Sequence, residues 1–348
     1  MLIILECRVE WVHQNIANFG GDPGRIALWG QSAGAASVTV YPYGYPEDPI
    51  VNALIADSGA PTIIRNRDVA QTNFTFLAGL VGCGDGDDAE ILSCVREVPA
   101  QTLENALSYY TGNNSSPSLA FTPIVDNKTV FANWTQRGVE GKIAQTVRYP
   151  FLLTLSVETE PKQSQANPTY LLLTLQPLII GSNSNEGAGF VPFTPSGPGA
   201  DALFNSTMSI IACPVAEEAK NRVLAGLTTY RYEYAGNFSN ISPLPWFGAY
   251  HSSELPLLFG THSQYGGPST EFEWDVSYAM QALWLSFVED SARGPVRLAL
   301  DGVKANPDKS GVVFEWPVFE AGSEDLLLFA EDGKIMQVVG SERIDGYC

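Results

Sequence analysis

The segment Arg25-Ile-Ala-Leu-Trp-Gly-Gln-Ser-Ala-Gly34 gives the strongest indication of the fold. Its first five residues are a short apolar run bounded by glycine, which predicts a buried strand. Residues 35–40, Ala-Ala-Ser-Val-Thr-Val, are compatible with a helix that begins directly after the turn at 30–34. A strand, a tight turn and a helix in succession are the unit from which parallel α/β sheets are built.

Apolar spacing on both sides of this segment predicts more elements of the same kind. Upstream, an amphipathic helix is expected to end at Gly20-Gly21. The residues on its apolar face are Val9, Val12, Ile16 and Phe19. Strands are expected over 53–56, 177–181 and 228–234, and a further helix over 277–288. No internal repeat interrupts the alternation, and a length of 348 residues allows one large α/β domain or two ordinary ones.

The composition excludes several classes of protein. Of the 348 residues, 45% are hydrophobic and 16% are charged, which is typical of a chain that buries a core. The formal net charge of −19 disfavours nucleic acid and anionic membrane surfaces as partners. No apolar stretch reaches the roughly 18 residues that a transmembrane helix needs, so no transmembrane segment is expected.

Residues Gly30-Gln-Ser-Ala-Gly34 match Gly-x-Ser-x-Gly between a strand and a helix, the context of a nucleophile elbow. Crowding explains the glycines, because Cβ atoms two positions before and after the serine are expected to collide with the strand and helix. The turn holds the Ser32 hydroxyl clear of the sheet at a helix N-terminus, which favours a developing oxyanion. An ordinary glycine-rich turn is the alternative.

A nucleophilic serine needs a base, and the chain contains only three histidines. His13 lies off the apolar stripe of its helix and is expected at the surface. His262 lies in a glycine-rich loop and is expected to be solvated. His251 follows the strand at 228–234 in a loop rich in apolar residues, and is therefore the candidate base.

The third member of a triad should be an acid between the serine and the histidine, just after a strand. Glu186 meets this condition in Gly181-Ser-Asn-Ser-Asn-Glu186. Asp126 and Asp201 are alternatives, but neither follows so clear an apolar run.

Eight Asn-x-Ser/Thr sequons, more than this composition gives by chance, indicate an extracellular protein. They begin at Asn73, Asn113, Asn114, Asn127, Asn133, Asn205, Asn237 and Asn240. Residues 1–7 are too short and too weakly charged for a signal peptide, so the chain as given is expected to be incomplete.

Five cysteines leave at least one unpaired. Cys83 and Cys94 bracket a polar turn and the start of a helix, where a bridge would contribute about 3 kcal/mol. Cys213 and Cys348 are a candidate second pair, and Cys7 is expected to be free.

Four segments together resemble the type B carboxylesterase/lipase family, the cholinesterase-like branch of the α/β-hydrolases, and its fungal members in particular. They are Glu10-Trp-Val-His-Gln-Asn-Ile-Ala-Asn-Phe-Gly-Gly-Asp-Pro23, Gly30–Gly34 continuing to Val38, Gly181–Phe190, and Gly248-Ala-Tyr-His-Ser-Ser-Glu-Leu-Pro-Leu-Leu-Phe-Gly260. The resemblance covers most of the chain and implies a single partial α/β-hydrolase domain over residues 1–348, with a mostly parallel central sheet flanked by helices.

The resemblance also implies a chemistry: hydrolysis of a small-molecule or lipid ester through an acyl-enzyme, with no metal and no cofactor. The implied triad is Ser32, Glu186 and His251. Ser58 matches a buried serine beside the triad, and Cys83 and Cys94 match a family disulfide. The sequence indicates neither the acyl and alcohol preference nor the oligomeric state.

The chain departs from the family pattern at its beginning. The family places a glycine-rich oxyanion loop well before the nucleophile, whereas only 31 residues precede Ser32. The backbone N–H of Ala33 is then the one oxyanion donor expected, and loss of a donor typically lowers the rate about 100- to 1,000-fold. The first strands of the family sheet are also missing, which predicts an N-terminally truncated domain with an unpaired strand edge.

A second departure lies within the chain. The family pattern passes almost directly from Gly141-Lys-Ile-Ala-Gln145 to Pro177, so residues 146–176 are expected to be a non-family insertion. Our hypothesis is translated intron sequence, and a surface insertion is the alternative.

Three functions therefore remain in competition. A serine carboxylic ester hydrolase agrees with the complete Ser/Glu/His set. A catalytically impaired part of such an esterase agrees with the missing oxyanion loop. A non-catalytic cholinesterase-like binding module is disfavoured, because such modules have lost the nucleophile.

Overall fold

The computed structural model describes residues 2–46, 50–63, 72–112, 119, 121–146, 174–297, 314–323 and 325–348. They form two compact units, one of Met1–Ile63 with Asn133–Cys348 and one of Ile64–Ala132. The sequons at Asn113 and Asn114 and most of the expected insertion, residues 147–173, lie outside the described residues.

A six-stranded, mostly parallel sheet forms the centre of the larger unit. The strands of this unit are β1 (Ala27–Gln31), β2 (Ala53–Asp57), β3 (Gln145–Thr146), β4 (Thr174–Leu175), β5 (Leu178–Asn183), β6 (Thr229–Tyr234), β7 (Val296–Arg297), β8 (Phe314–Glu315), β9 (Leu326–Glu331) and β10 (Lys334–Val339). The order in the central sheet is β1-β2-β5-β6-β9-β10, and only β10 runs antiparallel to its neighbour. The predicted α/β fold is confirmed, although β1 begins two residues later than expected.

Helices cover both faces of this sheet. The helices of the larger unit are α1 (Leu2–Asn15), α2 (Ala33–Gly44), α6 (Trp134–Val139), α7 (Ala200–Thr207), α8 (Cys213–Leu224), α9 (Leu255–Leu258), α10 (Glu271–Glu289) and α11 (Glu342–Asp345). A π-helical turn, Met208–Ala212, joins α7 to α8. Helix α1 gives way to a 3₁₀ turn at Ile16–Phe19, and Phe19 is exposed rather than on a buried face.

Alternation along the strands sends side chains into two separate cores. Ile55 and Ile179 belong to the core beneath α10, which includes Trp284. Leu54 and Ile180 point the other way, into the core under α2 and α8. Because both faces are buried, the central strands read in the sequence as continuous apolar runs rather than alternating ones.

Strand β1 lies at the edge of the sheet and pairs with β2 alone among the described residues. A cavity of about 360 Å³ on one face of β1 is lined by Leu28 and by Leu5 of α1. A second cavity of about 460 Å³, lined by Ala27 and Leu258, lies on the other face.

The smaller unit contains α3 (Thr72–Leu80), α4 (Asp88–Glu97) and α5 (Ala100–Gly112). The expected Cys83–Cys94 disulfide is present and joins the turn after α3 to α4. Asp87 begins α4 with a capping box, in which it accepts the N–H of Glu90 and the Glu90 side chain accepts the N–H of Asp87. In the larger unit Cys213 and Cys348 form the second disulfide, and Cys7 is a free, exposed thiol.

Among the helices described, none is long and apolar enough to cross a bilayer.

Candidate active site

Ser32 occupies the turn between β1 and α2 in a conformation that few L-residues adopt, with φ 58° and ψ −118°. Close packing forces this turn: a Cβ on Gly30 would lie 2.4 Å from the backbone of Gly34, and one on Gly59 would lie 2.4 Å from the Ser32 carbonyl oxygen. The crowding expected at Gly34 itself is wrong, because a Cβ there would meet nothing within 4 Å. Gly34 instead supplies the backbone against which Gly30 packs.

The backbone on either side of Ser32 is anchored. Its N–H donates to the Asp57 carbonyl at 2.9 Å, and its own carbonyl accepts from Ala36 N–H at 3.0 Å. Ala33 is the first residue of α2 and is exposed. The N–H groups of a first helical turn have no partner within the helix, so the Ala33 N–H is available to a group bound beside Ser32.

Glu186 and His251, which are 65 residues apart in sequence, are brought together. Glu186 opens a 3₁₀ turn, Glu186–Gly189, just after β5, and is fully buried. Its Oε2 accepts from His251 Nδ1 at 2.5 Å, and its Oε1 accepts from Asn183 N–H at 2.7 Å. A proton held at Nδ1 leaves Nε2 as the basic nitrogen, which is the tautomer that a catalytic base requires.

The basic nitrogen of His251 contacts the residue next to the serine. His251 Nε2 accepts from Gln31 Nε2 at 3.2 Å, and Gln31 directly precedes Ser32. Within the part of the chain that the structure describes, Ser32 Oγ forms no hydrogen bond to His251. The structure therefore unites the acid and the base and places the serine beside them, with the amide of Gln31 bound to the base.

Two asparagines that the sequence reasoning missed hold the loop of the base against the turn of the acid. Asn185 donates from Nδ2 to the carbonyls of Trp246 and Phe247, at 2.8 and 2.7 Å. Asn183 donates from Nδ2 to the carbonyl of Tyr250 at 2.8 Å. The signal available in the sequence was their position, since both lie within the three residues before the acid, where a buried strand ends.

Two further buried carboxyl groups lie beside the site. Asp57, at the end of β2, accepts hydrogen bonds from Trp29 Nε1 and Tyr232 OH. Burial raises the pKa of Asp57 to about 6, against the lowering effect of these two donors. Burial, and then the charges of Asp57 and Glu186, raise the pKa of Glu254 well above its ordinary value, while Asn183 Nδ2 donates to it.

The structure distinguishes the three histidines. His13 is exposed, as expected. The expectation for His262 is wrong: it is fully buried, because its loop packs against the start of α10. Its Nδ1 lies 2.6 Å from Ser269 Oγ and 3.2 Å from a Glu273 carboxylate oxygen.

The alternative acids have other surroundings. The Asp126 carboxylate binds the backbone N–H groups of its own turn, at residues 128–130. Asp201 lies exposed in the first turn of α7. Ser58, the expected supporting serine, is fully buried at the end of β2, and its Oγ has no hydrogen-bond partner among the described residues.

The described sequons differ in exposure. Four asparagines are exposed: Asn127, Asn133, Asn205 and Asn237. Asn73 and Asn240 are buried. The Nδ2 of Asn240, the atom to which a glycan would be attached, donates to His262 O at 3.1 Å and to Glu273 Oε1 at 3.0 Å.

A mostly parallel sheet, a strained serine between β1 and α2, and a buried acid bound to a histidine define the class as an α/β-hydrolase. The chain belongs to the carboxylesterase family, which it matches over residues 7–209 and 200–345.

Three relatives indicate the range within this family. A chlorogenic acid esterase of Aspergillus niger is 65% identical over 340 residues, which cover 98% of this chain and 60% of that protein. Secreted lipase 5 of Gibberella zeae is 37% identical over 98% of this chain and 58% of its own length. Acetylcholinesterase-1 of Trittame loki is 25% identical over 81% of this chain and 56% of its own length. The chain thus spans somewhat more than half the length of these relatives.

Proposed function

We propose that this chain contains the catalytic centre of an extracellular carboxylic ester hydrolase, with Ser32 as nucleophile, His251 as base and Glu186 as the acid that orients it. The hydrogen bond between Glu186 and His251 Nδ1 carries this proposal. With the proton at Nδ1, the lone pair of Nε2 faces Gln31 at the end of β1, directly before Ser32. The two disulfides and a relative named a secreted lipase support the extracellular location.

The reaction begins when His251 Nε2 exchanges its contact with Gln31 for the hydroxyl of Ser32. As Ser32 Oγ attacks the ester carbonyl, its proton passes to Nε2, and the buried Glu186 carboxylate stabilises the imidazolium. The Ala33 N–H donates to the oxyanion of the tetrahedral intermediate. His251 then returns the proton to the alkoxide, and the alcohol leaves an acyl group on Ser32.

Deacylation repeats these steps with water. His251 removes a proton from the water that attacks the acyl carbonyl, and the proton returns to Ser32 Oγ as the carboxylic acid departs. Each proton moves between His251 Nε2 and the oxygen atoms of Ser32, the attacking water and the substrate, so no further acid or base is needed.

We assign esters of aromatic acids as the substrate class. The A. niger relative is named for chlorogenic acid. In this chain one aromatic ring packs on the base, and further aromatic contacts link the segment after the acid to the loop that precedes the base. The ring of Phe190 lies 4.8 Å from the imidazole of His251, between centroids. Phe193 packs against Trp246 at 5.9 Å, and Trp246 against Phe247 at 4.4 Å. Flat aromatic groups stack favourably on such surfaces.

Hydrolysis of chlorogenic acid by the purified chain, compared with hydrolysis of p-nitrophenyl acetate, tests the proposal. We expect the wild type to hydrolyse both, and Ser32→Ala to lose both activities. Ser263→Ala changes an exposed serine outside the site and is the matched control. Equal hydrolysis by the wild type and Ser32→Ala would contradict the proposal. Folded wild-type protein without activity would favour the catalytically impaired alternative.

A further inference from the structure

A buried carboxylate on β2 binds side chains of two other strands, next to the turn that carries Ser32. Asp57 is fully buried at the last position of β2. Its Oδ1 accepts from Tyr232 OH of β6 at 2.8 Å, and its Oδ2 accepts from Trp29 Nε1 of β1. We call these three residues the carboxylate hub.

The hub reaches from β1 to β6 across β5, which contributes no side chain to it. This is possible because β5 has a glycine at the position between Asp57 and Tyr232. Strand β5 lies between β2 and β6, and its Gly181 pairs with Asp57 on one side and with Tyr232 on the other. A Cβ on Gly181 would lie 2.3 Å from the Tyr232 ring. The missing side chain therefore lets the tyrosine ring cross β5 and reach the carboxylate.

The hub is connected to Ser32 through the backbone. Asp57 pairs with Gln31 in the sheet, and the Asp57 carbonyl accepts the N–H of Ser32. The backbone carbonyl of Asp57 thus holds Ser32, the residue with positive φ, while its side chain binds Trp29. Trp29 lies on β1, three residues before Ser32. A strained conformation persists only where its surroundings determine it, and Asp57 provides that constraint.

We propose that Asp57 is a positioning residue of the hydrolytic centre, which holds Ser32 in its attacking conformation through the hydrogen bonds of the carboxylate hub. This role rests on the proposed function. Trp29 and Tyr232 both donate to the carboxylate, and an ionised carboxylate accepts both bonds, whereas a protonated one adds a donor. The ionised form of Asp57 therefore fits the hub.

The surroundings of Asp57 agree with a carboxyl group whose pKa lies above its ordinary value. Burial, and to a lesser extent the charge of Glu186, raise the pKa of Asp57 to about 6 against the lowering effect of the two hub donors. The charge of Asp57 in turn raises the pKa of the nearby Glu254. The other polar groups that face its carboxylate are the two hub donors, and beyond Glu186 lies His251. Below about pH 6 the hub is expected to loosen.

The test compares Asp57→Asn and Tyr232→Phe with wild type, and uses Glu218→Gln as a matched control. Glu218 is another fully buried acid, but it lies on α8 and takes no part in the site. The kinetic constants kcat and KM are measured with chlorogenic acid, and the rate at which a fluorophosphonate labels Ser32 is measured separately. All are normalised to the labelled fraction, which removes unfolded protein from the comparison.

For Asp57→Asn we expect kcat and the labelling rate to fall about 10- to 100-fold with KM changed less than about twofold, because the nucleophile is displaced while substrate binding is kept. Tyr232→Phe should change the same quantities in the same direction, and it preserves the test if the first variant fails to fold. The acid side of the pH–rate profile should be less steep in Asp57→Asn, a change that a purely structural role would not cause. Glu218→Gln should match wild type.

One readout does not depend on catalysis. The indole N–H of Trp29 should move in ¹H–¹⁵N spectra with a midpoint near pH 6, as Asp57 titrates, and should not move in Asp57→Asn. Trp29→Phe identifies the signal. Wild-type protein whose Ser32 is labelled, with both hub variants labelled at the wild-type rate, would overturn the positioning role alone. Wild-type protein that is never labelled would overturn the proposed function, and the positioning role with it.

Discussion

Gln31 contacts the candidate base directly, a contact that the sequence did not predict. Its amide donates to His251 Nε2, the nitrogen that receives the serine proton in the proposed mechanism. In that mechanism the amide competes with Ser32 for the base, and the contact has to break in each turnover.

Replacing Gln31 by leucine, a residue of similar size, tests this competition. A hydrogen bond of this kind contributes about 1 kcal/mol, so we expect Gln31→Leu to raise the rate of fluorophosphonate labelling about two- to fivefold. A lower rate in the variant would show that the amide assists the reaction instead.

Glu186 offers a second test at a single residue. Glu186→Gln keeps the size of the side chain, but an amide hydrogen-bonds equally well to the wrong tautomer of His251. We expect kcat for ester hydrolysis to fall about 1,000- to 10,000-fold while the melting temperature changes little. A variant with more than a tenth of the wild-type kcat would remove Glu186 from the triad.

Among the secondary-structure elements, the strands were the part most accessible from sequence. Strands β2, β5 and β6 were predicted within one or two residues, because buried parallel strands are continuous apolar runs. The contacts between strands were not accessible in this way. The bond from Tyr232 to Asp57 joins residues 175 positions apart, and it depends on a glycine in a third strand.

The residues of the candidate site also differ in whether local sequence could predict them. Local signals predicted Ser32, Glu186 and His251 as candidates: a glycine-flanked turn, the end of a strand, and an apolar loop. Gln31 has no such signal, because its role arises where the loop of His251 meets β1. The prediction that His262 is solvated was wrong. A glycine-rich loop usually lies in solvent, whereas here the imidazole of His262 contacts the Glu273 carboxylate of α10.

Helix α8 allows a test of how buried acids affect stability. Burial raises the pKa of Glu218 to about 8, with the charge of Arg222 opposing the effect. The folded protein thus retains a proton that the unfolded chain has released, so this group's contribution to the unfolding free energy is lost as pH rises from about 4.5 through 8.

We therefore expect Glu218→Gln to be more stable than wild type at pH 8, by a few kcal/mol, and to match it near pH 4.5. Urea unfolding at both pH values gives the comparison. An equal difference at the two pH values would show that Glu218 does not titrate in this range.

Glycan mapping of protein secreted from a eukaryotic host tests the burial of the sequons. We expect glycans at Asn205 and Asn237, which are exposed, and an unmodified Asn240, whose amide is buried in hydrogen bonds. A glycan at Asn240 in folded protein would contradict the packing of the loop around His262.

For the whole molecule, residues 146–176 remain the most unusual stretch. Strands β3 and β4 pair Gln145 with Leu175 and Thr146 with Thr174, so the two ends of the segment lie side by side. A segment with adjacent ends can be removed without separating the elements that flank it.

We keep the hypothesis that this segment is translated intron sequence, and sequencing of the mature transcript tests it. We expect messages that lack the segment and continue in frame. Finding it in every message would leave the surface insertion as the explanation.

The central claim is that this chain, which spans somewhat more than half the length of its relatives, brings an activated serine together with its base. The most direct measurement is reaction of the chain with a fluorophosphonate, followed by peptide mass mapping, with Ser32→Ala as the control. We expect one adduct, on Ser32, and none in the variant. Folded wild-type protein without an adduct on Ser32 would contradict the account.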